Sequence, residues 1–226
     1  CLKGKFDRWQ IRYDNAIKPG ERTSTGQKIV SGIGIQKTLM AVKKHFENAK
    51  YAGIACGMKN TGIGNGVPDD SRVKVIIDSP EQITIHHGWT EMGQGVFTMA
   101  VQFLCEATGV NPDLVSVKVD TSQEVPCGMT TASRGTSLIG NSVLEAGKKI
   151  KADLDKYSLE ELVGREYIGE WVCDWTDSIE SDSDEPKTHY SYSYATQVVT
   201  LDESGKIDNV FAAHDAGKIV NPILFE

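Results

Sequence analysis

Apolar residues recur at helical spacing in three segments of the chain. Over about residues 34–48 they fall on one face, which predicts an amphipathic helix. Residues 96–107 are apolar almost all round and are followed by Gly109, which predicts a buried helix that ends at a glycine. A third helix is predicted from Ser137 to about Lys156, where the sequence becomes basic.

Strands are predicted where apolar and polar residues alternate. The alternating segments are residues 72–78 with 82–86, residues 114–120, and residues 190–201 with 206–214. In each of the two paired cases a short turn joins the segments, so each pair predicts a β-hairpin. Residues 52–66 predict a further strand that enters a glycine-rich loop.

Together these elements predict an α+β fold of two mixed layers, in which β-hairpins pack on buried helices. We expect residues 1–156 to form one α+β subdomain. Residues 157–226 would form part of a second one, beginning with a polar connector. The serine-rich and acidic segment 178–186 is predicted to be a mobile loop, because it offers too little apolar surface to become ordered.

Composition then excludes several classes of protein. The 226 residues are 39% hydrophobic, enough for a sizeable core. The net charge of −7 arises mainly in residues 174–185, which hold six acidic residues and no basic one, and it argues against nucleic acid as a partner. No apolar run reaches the length of a membrane span, and the five cysteines include no C-x-x-C pair. We therefore expect a cytoplasmic protein with no protein-ligated metal. Since the sequence begins with Cys1, we also expect it to be a piece of a longer chain.

Two polar, glycine-containing loops each come directly before a predicted helix. They span residues 90–95 (TEMGQG) and residues 130–137 (TTASRGTS). Free backbone N–H groups and the helix dipole favour an anion at such a position, and hydroxyl groups or Arg134 could hold phosphate oxygens. The alternative is that these residues only cap their helices, which is their commonest use. The two interpretations differ in whether Gln94 and Arg134 lie in one cleft.

A few other polar residues have simpler structural explanations. His86 and His87 are neighbours in a predicted strand and point to opposite faces, so we expect one solvated and one packed histidine. Cys127 lies near Arg134 in the sequence, which could lower the pKa of its thiol. The weakest alternative is that Cys127 and the His-Asp pair at 214–215 act together in hydrolysis.

At the two loops the sequence resembles the molybdenum hydroxylases, the xanthine dehydrogenase and aldehyde oxidoreductase family. Residues 88–95 (GWTEMGQG) and 130–136 (TTASRGT) are similar to two cofactor loops of the molybdopterin-binding large subunit. Residues 53–64 and 210–222 are similar to further segments of that subunit, in the same order. The resemblance covers most of the chain.

The resemblance implies a molybdenum ion held by a pyranopterin, with or without a nucleotide extension. Met92, Gly93 and Gln94 would contact the cofactor near the metal, and Gly95 would also belong to the binding site. The residues at the phosphate end would be Ser133, Arg134, Gly135, Thr136 and Ser137. The implied reaction is hydroxylation of a purine, another N-heterocycle or an aldehyde. Iron–sulfur clusters and FAD would belong to other domains or subunits. Those domains or subunits and the rest of the large subunit would be the partners of this chain.

By the same resemblance, the chain lacks an earlier glycine-rich loop of the family and the later segment that carries the catalytic glutamate. We therefore assign no catalytic residue and expect this fragment to be inactive alone. The alternative from a different class is a non-catalytic α+β module that serves subunit contact.

Overall fold

The computed structural model describes residues 4–225. Its helices are α1 (Arg8–Asp14), α2 (Ile35–Asn48), α3 (Val96–Thr108), α4 (Gly135–Leu154), α5 (Leu159–Leu162) and α6 (Pro222–Phe225). Its strands are β1 (Tyr51–Thr61), β2 (Asp69–Ser79), β3 (Gln82–His87), β4 (Val115–Lys118), β5 (Glu166–Cys173), β6 (Ser191–Leu201) and β7 (Ile207–Asp215). The chain forms two compact units, each with its own sheet and core.

The first unit contains the described residues up to Gly66 together with Thr176–Ile219. Its sheet has three antiparallel strands in the order β1-β6-β7, so β1 and β7 are the edges. Helix α2 buries an apolar face that includes Leu39 and Val42 against this sheet. Trp9 of α1 joins the same core, and its indole N–H donates to the Leu39 carbonyl at 2.9 Å.

The second unit contains Val67–Trp175 and the residues from Val220 onward. Its sheet has the strand order β4-β3-β2-β5, in which only β3 and β4 are parallel. Alternate residues of β2 and β3, such as Val75 and Ile85, are fully buried against α3 and α4. Both helices therefore begin at fixed positions on this sheet, and each follows one of the two candidate loops.

The α+β class and the two β-hairpins predicted from the sequence are confirmed. The three predicted helices correspond to α2, α3 and α4. Four elements were missed: the short helices α1, α5 and α6, and strand β5, which lies where the sequence predicted only a polar connector. A Cβ at Gly169 of β5 would lie 1.8 Å from the Ser142 carbonyl oxygen, so β5 depends on close packing against α4 that its own sequence does not reveal.

The two units do not follow the predicted division at Lys156. The chain leaves the first sheet after β1, forms the sheet of the second unit, and returns to the first sheet with β6 and β7. Both candidate loops lie in the second unit. The segment 178–186 has no regular secondary structure, and its mobility stays a prediction. Among residues 4–225, no helix has the length and apolar character needed to cross a lipid bilayer.

Candidate functional site

Both candidate loops line one cavity of about 400 Å³ in the second unit. From the first loop it is lined by Met92 and Gln94, and from the second by Thr130 to Thr136. The remaining lining residues are Trp89, Val96 and Met99. Gln94 and Arg134 thus border the same cleft, as the cofactor hypothesis requires. Of the nine candidate residues, Gly93, Gly95 and Ser137 are outside this lining set.

The first loop is closed onto the start of α3 by the carboxylate of Glu91. The Gly93 and Gly95 amides donate to one of its oxygens at 2.9 and 3.0 Å, and the Phe97 amide donates to the other at 3.1 Å. Burial acts to raise the pKa of Glu91, but these amide hydrogen bonds hold it below its ordinary value. The amides that an anion would use at this helix are therefore already occupied by a side chain.

The Gln94 side chain also bonds within the first loop. Its carbonyl oxygen accepts from the Met92 amide at 2.7 Å, and its amide nitrogen donates to the Thr90 carbonyl at 2.8 Å. Met92 itself is 65% exposed. Gly93 and Gly95 have φ values of 101° and 79°, a backbone region that favours glycine, which explains the glycines of this loop. The loop presents Met92 and Gln94 to the cavity on a framework held by its own residues.

The second loop reaches α4 without a comparable cap. The side chain of its N-cap residue, Arg134, makes no capping hydrogen bond, although this helix is 20 residues long. The exposed residues Ser133 and Thr136 add hydroxyl groups beside its first turn. Ala132 and Ser133 have φ values of 59° and 50°, and non-glycine residues in this region are concentrated at functional sites. The first turn of α4 therefore borders this cavity without a capping bond from its own N-cap side chain.

Arg134 itself points into the protein, and its side chain is only 2% exposed. One guanidinium nitrogen forms an ion pair with Asp69, which is 1% exposed. The others donate to the carbonyls of Cys127, at 2.9 Å, and Met129. The guanidinium also lies over the Trp89 ring, 4.7 Å from its centroid. These contacts occupy the side chain that the sequence suggested for holding phosphate oxygens, and they leave that task to backbone amides and hydroxyls.

The histidine expectation was partly wrong, because both histidines are buried. His86 is 6% exposed rather than solvated, and burial lowers its pKa. His87 is fully buried, and its Nδ1 accepts from the Trp89 amide at 3.1 Å. Burial lowers the pKa of His87 to about 4, so it is neutral near pH 7. Strand β3 is covered on both faces at this end, which the alternation of its sequence did not reveal.

The thiol of Cys127 is also unlike the activated group considered from the sequence. Cys127 is 5% exposed, and burial raises the pKa of its thiol, although Arg134 acts in the opposite direction. The His-Asp pair at 214–215 lies on β7 in the other unit. Among residues 4–225, no group of three or more histidine, cysteine or acidic side chains is arranged to hold a metal ion.

The sequence analysis missed several residues that shape this site, namely Asp69, Trp89, Glu91 and Gly128. Of these, Glu91 carried a local signal, because a carboxylate shortly before a helix is a typical capping group. Asp69 carried none, since it lies in a stretch with turn composition and meets Arg134 across 65 residues of sequence.

The family model for the molybdopterin cofactor-binding domain matches residues 32–226. The chain belongs to this family. As a molybdopterin cofactor-binding domain it is related to the xanthine dehydrogenases and aldehyde oxidoreductases. It is 28% identical to a probable xanthine dehydrogenase subunit from Bacillus subtilis over 69% of this chain. It is 25% identical to the aldehyde oxidoreductase of Megalodesulfovibrio gigas over 96% of this chain.

Solved structures show the same fold. The aldehyde oxidoreductase from Desulfovibrio gigas matches 97% of this chain with a TM-score of 0.82 and 21% identity. The quinoline 2-oxidoreductase from Pseudomonas putida 86 matches 99% with a TM-score of 0.69 and 15% identity. The chain spans 22% and 27% of the two curated relatives named above and 27% of the Desulfovibrio gigas chain, so it corresponds to one part of much larger proteins.

The donors around the cavity fit the anionic end of such a cofactor. They combine the open start of α4 with the hydroxyls of Ser133 and Thr136, and no acidic residue belongs to the lining set. Phosphate oxygens are acceptors, so a surface of backbone and hydroxyl donors without nearby carboxylates suits them. The chemistry of these donors is therefore consistent with the family.

Proposed function

We propose that the cavity of the second unit binds the molybdopterin cofactor with its phosphate group at the start of α4. The observation that carries this proposal is the difference between the two helices at the cavity. At the start of α3 Glu91 accepts from the Gly95 and Phe97 amides, whereas the side chain of Arg134, the N-cap residue of α4, makes no capping hydrogen bond. An anionic ligand is expected to bind where the helix dipole and the backbone amides are still available.

The candidate residues then divide into two groups. Ser133, Gly135, Thr136 and Ser137 contribute amides and hydroxyls to the phosphate end, and Arg134 contributes its backbone, since its guanidinium is held by Asp69. Met92 and Gln94 face the other part of the cofactor from the first loop, whose shape depends on Gly93 and Gly95. When bound, the cofactor supplies a molybdenum centre that accepts electrons during hydroxylation.

We extend the proposal to the whole enzyme on the basis of the curated relatives. Its substrate would be a purine, another N-heterocycle or an aldehyde, and the fragment alone would be inactive. Iron–sulfur clusters and FAD would reside in other domains or subunits, the cofactor could carry a nucleotide, and the protein would be cytoplasmic. The proposal assigns no catalytic base among these residues.

The test compares Ser133→Asp with Ser133→Asn in the full-length enzyme. Asn and Asp both tolerate the left-handed backbone of Ser133 and differ mainly in charge. A carboxylate here would compete for the α4 amides and repel a phosphate. We expect the aspartate variant to lose about tenfold or more of its molybdenum and pterin, and the asparagine variant to lose much less.

Metal emission spectroscopy and pterin fluorescence after release provide the measurement. Equal contents in the two variants would contradict the placement of the phosphate. A well-folded wild-type enzyme that contains neither molybdenum nor pterin would contradict cofactor binding altogether and would support the non-catalytic interaction module.

A further inference from the structure

The residues that hold the second loop in place belong to none of the family segments discussed above, apart from Arg134 itself. Asp69 comes from the first position of β2, and Gly128 lies in the irregular segment that precedes the loop. We propose that Asp69, Arg134 and Gly128 form a clamp that fixes the backbone of residues 129–133 at the cavity, with Asp69 as its positioning residue. This inference rests on the proposed function for its effect on the cofactor.

The anchor of the clamp is the ion pair between Asp69 and Arg134, whose side chains are 1% and 2% exposed. A buried charge is tolerated only when it is paired and hydrogen-bonded, so each side chain depends on the other. Asp69 is held in turn by the sheet, because β2 pairs with β5 and places Asp69 opposite Cys173. The guanidinium therefore has a fixed position relative to the core.

From that position Arg134 holds residues 127–129, which lead into the loop. It donates to the Cys127 carbonyl at 2.9 Å and through two nitrogens to the Met129 carbonyl. The planar guanidinium can make these bonds and the ion pair at the same time, which an ammonium group cannot. Both ends of residues 129–133 are thus attached to Arg134, since Met129 accepts from its side chain and Ser133 precedes it in the chain.

Two further features depend on this attachment. Ala132 and Ser133 adopt left-handed backbone conformations, which persist only where the surrounding structure enforces them. Gly128 has a φ of 62°, and a Cβ there would lie 3.0 Å from a guanidinium nitrogen of Arg134. The backbone at residue 128 can approach the guanidinium this closely because glycine has no side chain.

The first test uses Gly128→Ala, with Gly109→Ala as its matched control, in the full-length enzyme. Both glycines have a left-handed φ, so both substitutions carry the same backbone penalty. A Cβ at Gly109 meets nothing within 4 Å, whereas one at Gly128 meets Arg134. We expect Gly128→Ala to lower the molybdenum and pterin content by about tenfold, as is typical when the group that orients a ligand-binding segment is disturbed. The Gly109→Ala enzyme should keep its cofactor.

The second test uses Asp69→Asn, with Tyr167→Phe as its control. Tyr167 is also buried in the second unit and donates to the Asp153 carboxylate at 2.9 Å, so its loss destabilises the unit away from the loop. We expect Asp69→Asn to lose cofactor and Tyr167→Phe to retain it. If Asp69→Asn fails to fold, Gly128→Ala and its control decide the question.

Hydrogen exchange of the cofactor-free enzymes gives a readout that does not depend on the cofactor. The Thr131 and Leu138 amides, which donate to the Met129 and Arg134 carbonyls, should exchange about tenfold faster or more in Gly128→Ala than in Gly109→Ala, while amides 143–150 stay unchanged. Equal exchange and equal cofactor content in the two alanine variants would overturn the clamp. A wild-type enzyme without molybdopterin would instead overturn the proposed function, and the exchange rates would still judge the clamp.

Discussion

The two loops at the cavity are stabilised in opposite ways. The first loop is held mainly by its own residues, since Glu91 and Gln94 bond to positions within the segment 90–97, and one further hydrogen bond runs from the Thr90 amide to the Thr130 hydroxyl at 3.0 Å. The second loop is held by Asp69, which is 65 residues earlier in the sequence. The local arrangement uses up the amides of its helix, whereas the long-range arrangement leaves those of α4 available. A loop that must bind an anion at a helix start therefore benefits from being fixed by something other than a cap.

The largest effect in this comparison is expected at the long-range contact. Arg134→Met removes the cation that pairs with the buried carboxylate of Asp69, and breaking a buried ion pair in this way typically costs about 3–5 kcal/mol. Native-state hydrogen exchange of the Leu138 amide, which donates to the Arg134 carbonyl in the first turn of α4, should report this loss of free energy of opening. The double variant Asp69→Leu/Arg134→Met should recover most of it, because both charges are removed. A double variant as unstable as the single one would show that the ion pair is not what stabilises this region.

Acid should weaken the second unit through His87, just before the first loop. The folded pKa of about 4 lies below the unfolded value, so between these values the unfolded chain binds a proton that the folded chain does not. Stability is therefore complete above about pH 6.5 and falls by up to about 3 kcal/mol as the pH drops to 4. Thermal unfolding of the wild-type and His87→Gln enzymes from pH 7 to pH 4 would measure this. An equal pH dependence in both would contradict it.

The local cap of the first loop should contribute less. Glu91→Gln weakens the bonds to the Gly93, Gly95 and Phe97 amides and should cost about 1 kcal/mol, the usual value of a helix cap. Because the folded pKa of Glu91 is lowered, the wild-type contribution is present above the unfolded pKa and is lost as the pH falls through the folded one. Exchange of the Phe97 amide should show this loss in the wild type but not in Glu91→Gln.

Gln94→Ala should have the smallest effect on stability. It removes two hydrogen bonds from an exposed side chain, which amounts to about 0.5–1 kcal/mol. Faster exchange confined to the Met92 amide is the expected result. Loss of cofactor from this variant without a change in thermal unfolding would support a direct contact between Gln94 and the ligand, whereas faster exchange throughout α3 would assign it a wider structural role.

The same contrast between local and long-range contacts explains what the sequence could predict. Helices α3 and α4 and both hairpins follow from periodicity and turn residues, which are properties of neighbouring positions. Strand β5 was missed because Gly169 serves contact with α4 rather than any local preference. The position of the polar loop before α4 follows from the sequence. The inward direction of Arg134 depends on Asp69 and has no local signal.

The edges of the three-stranded sheet bear on how these 226 residues can be studied. Strand β1 is an 11-residue edge with one charged residue, Lys59, and most of its side chains are exposed. An edge of this kind presents unpaired backbone groups that can template pairing with another chain. Expressed by itself, the polypeptide should therefore tend to aggregate through intermolecular sheet extension, and light scattering at increasing concentration should detect it. A lysine or proline placed along β1 is the natural way to obtain it in a monodisperse form.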